Sequence, residues 1–418
     1  MNDFATKDRT PDDGALSPQE RRILALTCTC HFLTHMFILV FPAVTIPIVD
    51  SLGMPLENVI KLSFFMYLLY GLGALPAGYI VDRWQAKRML LIGAFAMGTG
   101  LALAGLFASP RVIPLGLSFV GLGASIYHPA GLALISRTIK RRGYALGING
   151  VWGNLGIASS PFITGILSWL FGWQTALVVL GLVAFAAGLL LGTIRIDETT
   201  IETKNDGAAN GSDYLKYYLV LCLALLFGGF VYRGNMVLLP AYLELKTTFF
   251  HQLIGSLSFI EMQGSSTLAA TLLTSLVLVV GVFGQLLGGR LADRHDLRYA
   301  YLGVHAASVP FLLGMAFATD YVLVFCVALF VVFNLGMQPI ENSLIAALTP
   351  TRWRSTGFAV KFILNFGVGS TVVYLIGIVK TRYSLETVYV FLAGVAFLLV
   401  SSIIGLVVVS RRVRHIRN

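Results

Sequence analysis

Titratable and strongly polar side chains inside long apolar runs are where chemistry can rest in this chain, because each is costly to hold in a membrane without a partner or a purpose. His31 and His35 lie in the first run, with Thr27 and Thr34 at helical spacing on the same face. His128 lies in the fourth run and Arg233 in the seventh; Gln338 and Glu341 lie in the tenth, and Lys361 and Asn365 open the eleventh. A neutral imidazole is cheap to bury and titrates near physiological pH, which suits a proton carrier. The alternative is a histidine satisfied by a backbone carbonyl, preferred for His31, whereas function is preferred for His35. Aligning Phe41-Pro42-Ala43 with Leu239-Pro240-Ala241 sets His35 opposite Arg233. An arginine stays charged, so within a span Arg233 needs a carboxylate, a water-filled cavity or an anionic ligand. Aligning Leu122-Gly123 with Leu335-Gly336 sets Glu341 opposite His128. Glu341 shares a face with Asn334 and Gln338; it is the expected partner of Arg233 and the expected coupling proton site. Lys361, near a span end, can instead snorkel to water. Asn149, Trp152 and Asn154 in the fifth run can bond or stack on a solute, or simply pack. Arg233, Lys361 and three histidines against one glutamate predict an anionic or zwitterionic solute.

The elements that position these residues are apolar helices. The chain is 56% apolar and 12% charged, about half the charge of a soluble domain. Runs of eighteen or more apolar residues recur, each able to cross ~30 Å of hydrocarbon. The pattern predicts an all-α polytopic membrane protein with twelve spans in two pseudo-symmetric six-helix bundles, 22–195 and 214–410. A polar N-terminal tail (1–21), an acidic linker read as flexible (196–213) and a basic tail (411–418) flank them. Of 30 Lys and Arg, 23 fall on one side of this arrangement and 5 on the other, which places both termini in the cytoplasm. The net charge of +10 therefore reflects insertion and contact with anionic lipid, not nucleic acid. The segment 244–267 is expected along the outer interface. Cys28, Cys30, Cys222 and Cys326 all lie in apolar runs, so neither a disulfide framework nor a metal-ligand spacing follows. The first apolar run is too long for a cleaved signal peptide.

One loop occurs twice. Gly78–Arg88 reads GYIVDRWQAKR, and from Gly288 the chain reads GGRLADRHDLR; Gly78, Asp82 and Arg83 match Gly289, Asp293 and Arg294 at a constant offset of 211 residues. A glycine near a helix end permits close helix approach. Twelve spans and this duplicated G-x-x-x-D-R loop resemble the major facilitator superfamily. The resemblance implies alternating access, with Gly78, Asp82, Arg83 and Arg88, and Gly289, Asp293, Arg294 and Arg298, as cytoplasmic gating loops. It also implies that spans one, four, seven and ten line a central cavity where His35, His128, Arg233 and Glu341 meet. Gly156-Ile-Ala-Ser-Ser160-Pro161-Phe-Ile-Thr164-Gly165 is similar to the antiporter motif, with Ser160 and Thr164 in place of two glycines; close helix packing is the alternative reading. The H-F-L-T-H run at His31–His35, Phe41-Pro42 and Tyr127-His128-Pro129 are similar to fosmidomycin-resistance-type efflux proteins. The expectation is proton-coupled efflux of a small organic solute or drug by a monomer in a bacterial-type cytoplasmic (inner) membrane, without cofactor or metal. Proton-coupled uptake is the alternative. A sensor or scaffold would carry an appended soluble domain, which is not seen. Enzymatic readings lack a P-loop, an H-E-x-x-H helix or a nucleophile elbow.

Overall fold

Apolar segments in hydrocarbon must satisfy their backbone polar groups internally, so helix is the form they take. The computed structural model describes residues 16–81, 83–198, 213–256, 265–349 and 354–411, and no strand occurs among them. Ten helices among the described residues are long and apolar enough to cross a membrane. One of these, Arg142–Thr193, is two spans joined at Gly172, where φ is 80° and ψ 156°, a conformation that glycine adopts without a Cβ penalty. The first span comes in three pieces, Pro18–Ile38, Val40–Ala43 and Thr45–Leu52. Pro42 and Pro47 cause the breaks: each lacks the N–H that would bond Ile38 or Ala43, and its ring crowds that carbonyl.

Twelve spans result. They are α1 (the three pieces), α2 (Leu56–Val81), α3 (Ala86–Phe107), α4 (Val112–Thr138), α5 (142–171) and α6 (173–193). The second set is α7 (Asp213–Lys246), α8 (Ser265–Arg294), α9 (Leu297–Phe317), α10 (Asp320–Leu348), α11 (Gly357–Arg382) and α12 (Leu385–Val409). In the segment expected at the interface, a short helix covers Phe249–Gly255, and 257–264 lie outside the described residues. The repeat seen in sequence is a repeat of packing. The helix α3 lies on α4 and α6, α1 on α5 and α2 on α4; correspondingly α9 lies on α10 and α12, α7 on α11 and α8 on α10. Lipid offers no hydrophobic drive between helices, so close backbone approach holds them. At Gly100 and Gly116 a Cβ on either would come within 2.3 or 2.5 Å of the other's carbonyl oxygen.

The two sets meet along two seams, α2 with α11 and α5 with α8. A Cβ on Gly71 would sit 2.0 Å from the Gly367 nitrogen, and one on Gly165 would sit 1.9 Å from Thr271 Oγ1. The Phe162 N–H donates to Ser275 Oγ at 2.8 Å. At the end remote from the basic loops, Lys380 Nζ meets Glu57 Oε2 at 2.5 Å across the α2–α11 seam. Toward the basic loops the helices part: a Cβ on Gly147, Gly150 or Gly289 would meet nothing within 4 Å, and Tyr79 is 62% exposed. These seam contacts thus lie at mid-height and toward the remote end.

Short anchors hold the basic-loop end of the first set together. Glu20 caps its own helix through the Ser17 N–H and also accepts the Lys140 N–H, both at 2.8 Å. The Glu198 carboxylate accepts the Ala86 and Lys87 N–H groups at 2.8 and 2.9 Å, a favourable charge at the N-terminus of α3. Residues 196–198, expected to begin a flexible linker, are thus pinned to α3; 199–212 lie outside the described residues.

Candidate substrate cavity and its polar clusters

His31 and His35 are one helical turn apart on α1, and α4 brings in His128. The backbone of α4 turns π-helical over His128–Leu132, at Pro129, a local widening common at functional sites. One ring nitrogen from each of the three histidines lies within 4.8 Å of the others. His31 Nδ1 donates to the Asn149 carbonyl at 2.8 Å, and its ring stacks on Tyr127 at 4.4 Å. Tyr127 in turn donates to Asn149 Oδ1 at 2.8 Å. His128 Nε2 and Tyr70 Oη are 3.1 Å apart. His31 Nε2 and His128 Nδ1 are buried without a partner. Gly153 makes room: a Cβ there would come within 2.5 Å of the His31 ring. The carbonyl bond expected of His31 is present, and so is its place in the cluster.

Arg233 on α7 is 2% exposed and lies within electrostatic reach of His35. Its guanidinium carbon is 3.8 Å from the Tyr67 ring centroid, 5.2 Å from that of Phe366 and 5.9 Å from that of Tyr232. Aromatic faces attract the cation but accept few of its five N–H donors. Its Nε donates to nothing, and no carboxylate among the described residues forms an ion pair with it.

The expected pairing of Glu341 with Arg233 is not what the structure shows. Glu341 is fully buried and faces α9 and α11: Lys361 Nζ lies 2.8 Å from Oε1, Tyr301 Oη donates to Oε2 at 2.6 Å, and Asn365 Nδ2 approaches Oε1 at 3.4 Å. Lys361 does not snorkel to water; it is 8% exposed and also donates to Asn342 Oδ1 at 2.7 Å. The reason is geometric, since a carboxylate takes the nearer ammonium that can reach it while buried. Of the four residues expected to meet, His35 and His128 lie together with ring centroids 5.5 Å apart, Arg233 is within electrostatic reach of His35, and Glu341 belongs to a second cluster. The helix α11 joins the two. It is π-helical over Ile363–Gly367; Phe362 stacks on His128 at 4.6 Å, Phe366 lies over Arg233, and Lys361 and Asn365 serve Glu341.

Gln338, though on the Glu341 helix, looks elsewhere. Gln285 Nε2 donates to Gln338 Oε1 at 2.9 Å and to Asn154 Oδ1 at 3.0 Å, so an amide chain ties α5, α8 and α10. Trp152, expected to stack on a solute, is 43% exposed and meets the edge of Phe32. In the antiporter-like stretch, Gly156 packs on the Phe32 carbonyl and Gly165 on Thr271. Ser160 donates to the Met36 carbonyl at 2.7 Å, and Pro161 precedes the Phe162 N–H given to Ser275.

In the duplicated loops, Asp82 lies outside the described residues. Arg83 donates to the Tyr79 carbonyl at 3.2 Å and lies 3.5 Å over its ring; Arg88, Asp293 and Arg294 are exposed. Gly78 makes only an ordinary contact with Pro129, at 3.6 Å, and Gly289 makes none. Close approach falls instead to Gly73, Gly284 and Gly288, the last within 1.8 Å of the Gly336 carbonyl for a Cβ. Arg298 is a correction too. It is buried, bonds both Asp296 carboxylate oxygens at 2.9 and 2.6 Å and reaches Ser410 at 2.5 Å, fastening α9 to the end of α12. Sequence reasoning missed Tyr301 and His305, one turn apart on α9 with rings 4.5 Å apart edge to face. Their helical spacing beside a buried carboxylate was the available signal.

Twelve apolar helices in two matching sets, each set burying ionisable groups of its own, have the architecture of a membrane transporter. The family model of the Major Facilitator Superfamily matches residues 25–260, and the chain belongs to that superfamily. It is 25% identical over 335 residues, 72% of this chain and 73% of the relative, to a probable sulfoacetate transporter of Cupriavidus necator. It is 32% identical over 107 residues, 25% of this chain and 26% of the relative, to the multidrug resistance protein MdtH of Enterobacter sp.. Among solved structures, a bacterial homologue of the human lysosomal transporter Spinster, inward-facing and unoccupied, superimposes with a TM-score of 0.69 at 16% identity, covering 94% of this chain and 96% of that one.

Proposed function

We propose that this protein is a proton-coupled secondary transporter of a small organic anion, working by alternating access. The observation that carries the reading is Arg233, a buried cation with no carboxylate partner among the described residues. Glu341 is already neutralised by Lys361, so among the described buried groups Arg233 is left as an uncompensated positive charge. An anion placed against Arg233 would gain charge-assisted bonds in a desolvated site. The C. necator relative, named for a sulfonate with a carboxylate, agrees with that chemistry. Glu341 is the proposed proton site. Protonating it releases Lys361, on the same helix as Phe362 and Phe366, so a proton at one cluster repositions the rings that cover the other.

The basic loops would face the cytoplasm, as would both termini, in a bacterial-type inner membrane. The state described here would then open inward, with Gly78–Arg88 and the loop at Gly289–Arg294 free to close on the opposite half. Export against proton flow is the direction favoured by the antiporter-like stretch on α5, with the monomer as the working unit. The test is transport in proteoliposomes under an imposed pH gradient, with a panel of small sulfonates and carboxylates. Arg233→Ala should abolish transport while the protein still inserts, and Glu341→Gln should lose proton-driven accumulation. Unimpaired flux through Arg233→Ala removes the basis for an anion, and accumulation running with the proton gradient makes this an uptake symporter.

A further inference from the structure

We infer that His31, His35 and His128 form a binding site for a transition-metal dication, Zn2+ being the type ion. Three imidazoles with one open position are a recurring ligand set for this metal class. One nitrogen of each ring is within 4.8 Å of the other two. A tetrahedral site with metal–nitrogen bonds of ~2.1 Å puts its nitrogens about 3.4 Å apart, so small ring rotations close the gap.

The tautomers make the argument sharper. His31 Nδ1 faces a backbone carbonyl, that of Asn149, at 2.8 Å, so it carries the proton and Nε2 holds a lone pair. That lone pair is buried without any donor. His128 repeats the arrangement with its nitrogens exchanged: Nε2 meets the Tyr70 hydroxyl at 3.1 Å, and Nδ1 is the buried atom without a partner. A metal-binding histidine characteristically gives its other N–H to a carbonyl or similar acceptor, which fixes the ring and its tautomer. The His31 ring is held in that way with a buried lone pair left unused, and at His128 metal binding at Nδ1 requires the tautomer in which Nε2 donates to the Tyr70 hydroxyl. A histidine present only for packing has no need of this. The sequence did not show it because the third ligand arrives from a different helix.

Arg233 lies close to the cluster and opposes a bare dication, so the fourth position suits an anionic ligand. The site therefore binds metal more tightly when a small carboxylate is present. Binding is read without transport, so it stands or falls separately from the function proposed above.

The experiment is titration of the purified full-length protein in detergent with Co2+, followed by its visible absorption, then displacement by Zn2+. One Co2+ per chain with the intense bands of tetrahedral coordination is expected, strengthened by acetate. His31→Ala and His128→Ala should each weaken binding more than about 100-fold, and Tyr70→Phe about 10–100-fold through loss of the outer hydrogen bond. His251→Ala, on the short helix away from the cluster, should bind as wild type. If the alanine variants do not fold, the wild-type spectrum and His35→Gln decide. Weak octahedral bands in the wild type, or variants that bind Co2+ as well as it does, overturn the site.

Discussion

Among single residues, Glu341 and Lys361 stand in a different relation from Arg233. Each neutralises the other in a site that excludes water, so removing one strands a buried charge. Lys361→Met should cost about 3–5 kcal/mol of stability. The double variant Lys361→Met with Glu341→Gln should recover most of it, both read by thermal unfolding in detergent. A single variant as stable as wild type would show that the pair is not a buried ion pair. The candidates themselves were legible, because an ionisable group in an apolar run is conspicuous. Their partners were not. Matching Leu122-Gly123 with Leu335-Gly336 set Glu341 opposite His128, but did not show that its side chain faces Lys361 and Tyr301. Tyr67 and Tyr70 were passed over because a tyrosine in a span reads as an apolar residue with a tip, and Tyr127 entered only as part of a motif.

At the level of helices, the α2–α11 seam is made by backbone against backbone, so it cannot yield to a methyl group. Gly71→Ala should force it apart, because the added carbon would lie 2.0 Å from the Gly367 nitrogen. A cysteine placed at Tyr67 should then react faster with an impermeant thiol reagent supplied from the end remote from the basic loops. Gly147→Ala, which meets nothing, should leave that rate unchanged; equal rates in both variants would mean that the seam is not the barrier. The spans were readable from apolar length, but the breaks in α1 at Pro42 and Pro47 were not singled out. The loop glycines were not ranked correctly by motif. Gly289 matched by offset, but Gly288 faces α10, since a shift of one residue turns a helix by about 100°. Arg298, similarly, was drawn into the loop motif by proximity in sequence, although it lies in the first turn of α9, behind the Asp296 N-cap, and ties that turn to Ser410.

Across the whole molecule, closure at the remote end leans on the Glu57–Lys380 bridge between the two halves. Such a half-exposed pair is worth up to about 1 kcal/mol, enough to shift a conformational equilibrium a few-fold. Lys380→Ala should lengthen spin-label distances across that end. Exchanging the two charges, Glu57→Lys with Lys380→Glu, should restore them; no change in either variant would mean that the bridge is incidental. The duplicated loop made two halves visible in sequence, but no residue pattern told which end the inter-set contacts would favour. On the transport reading proposed above, Arg233, which has no carboxylate partner among the described residues, carries one more consequence. An empty carrier that swings it from one face to the other displaces charge through the membrane field, and one elementary charge is worth ≈ 2.3 kcal/mol per 100 mV. The same carrier loaded with a monovalent anion moves no net charge. Membrane voltage would thus act on the return stroke and leave the loaded stroke alone, making the empty molecule a voltage sensor.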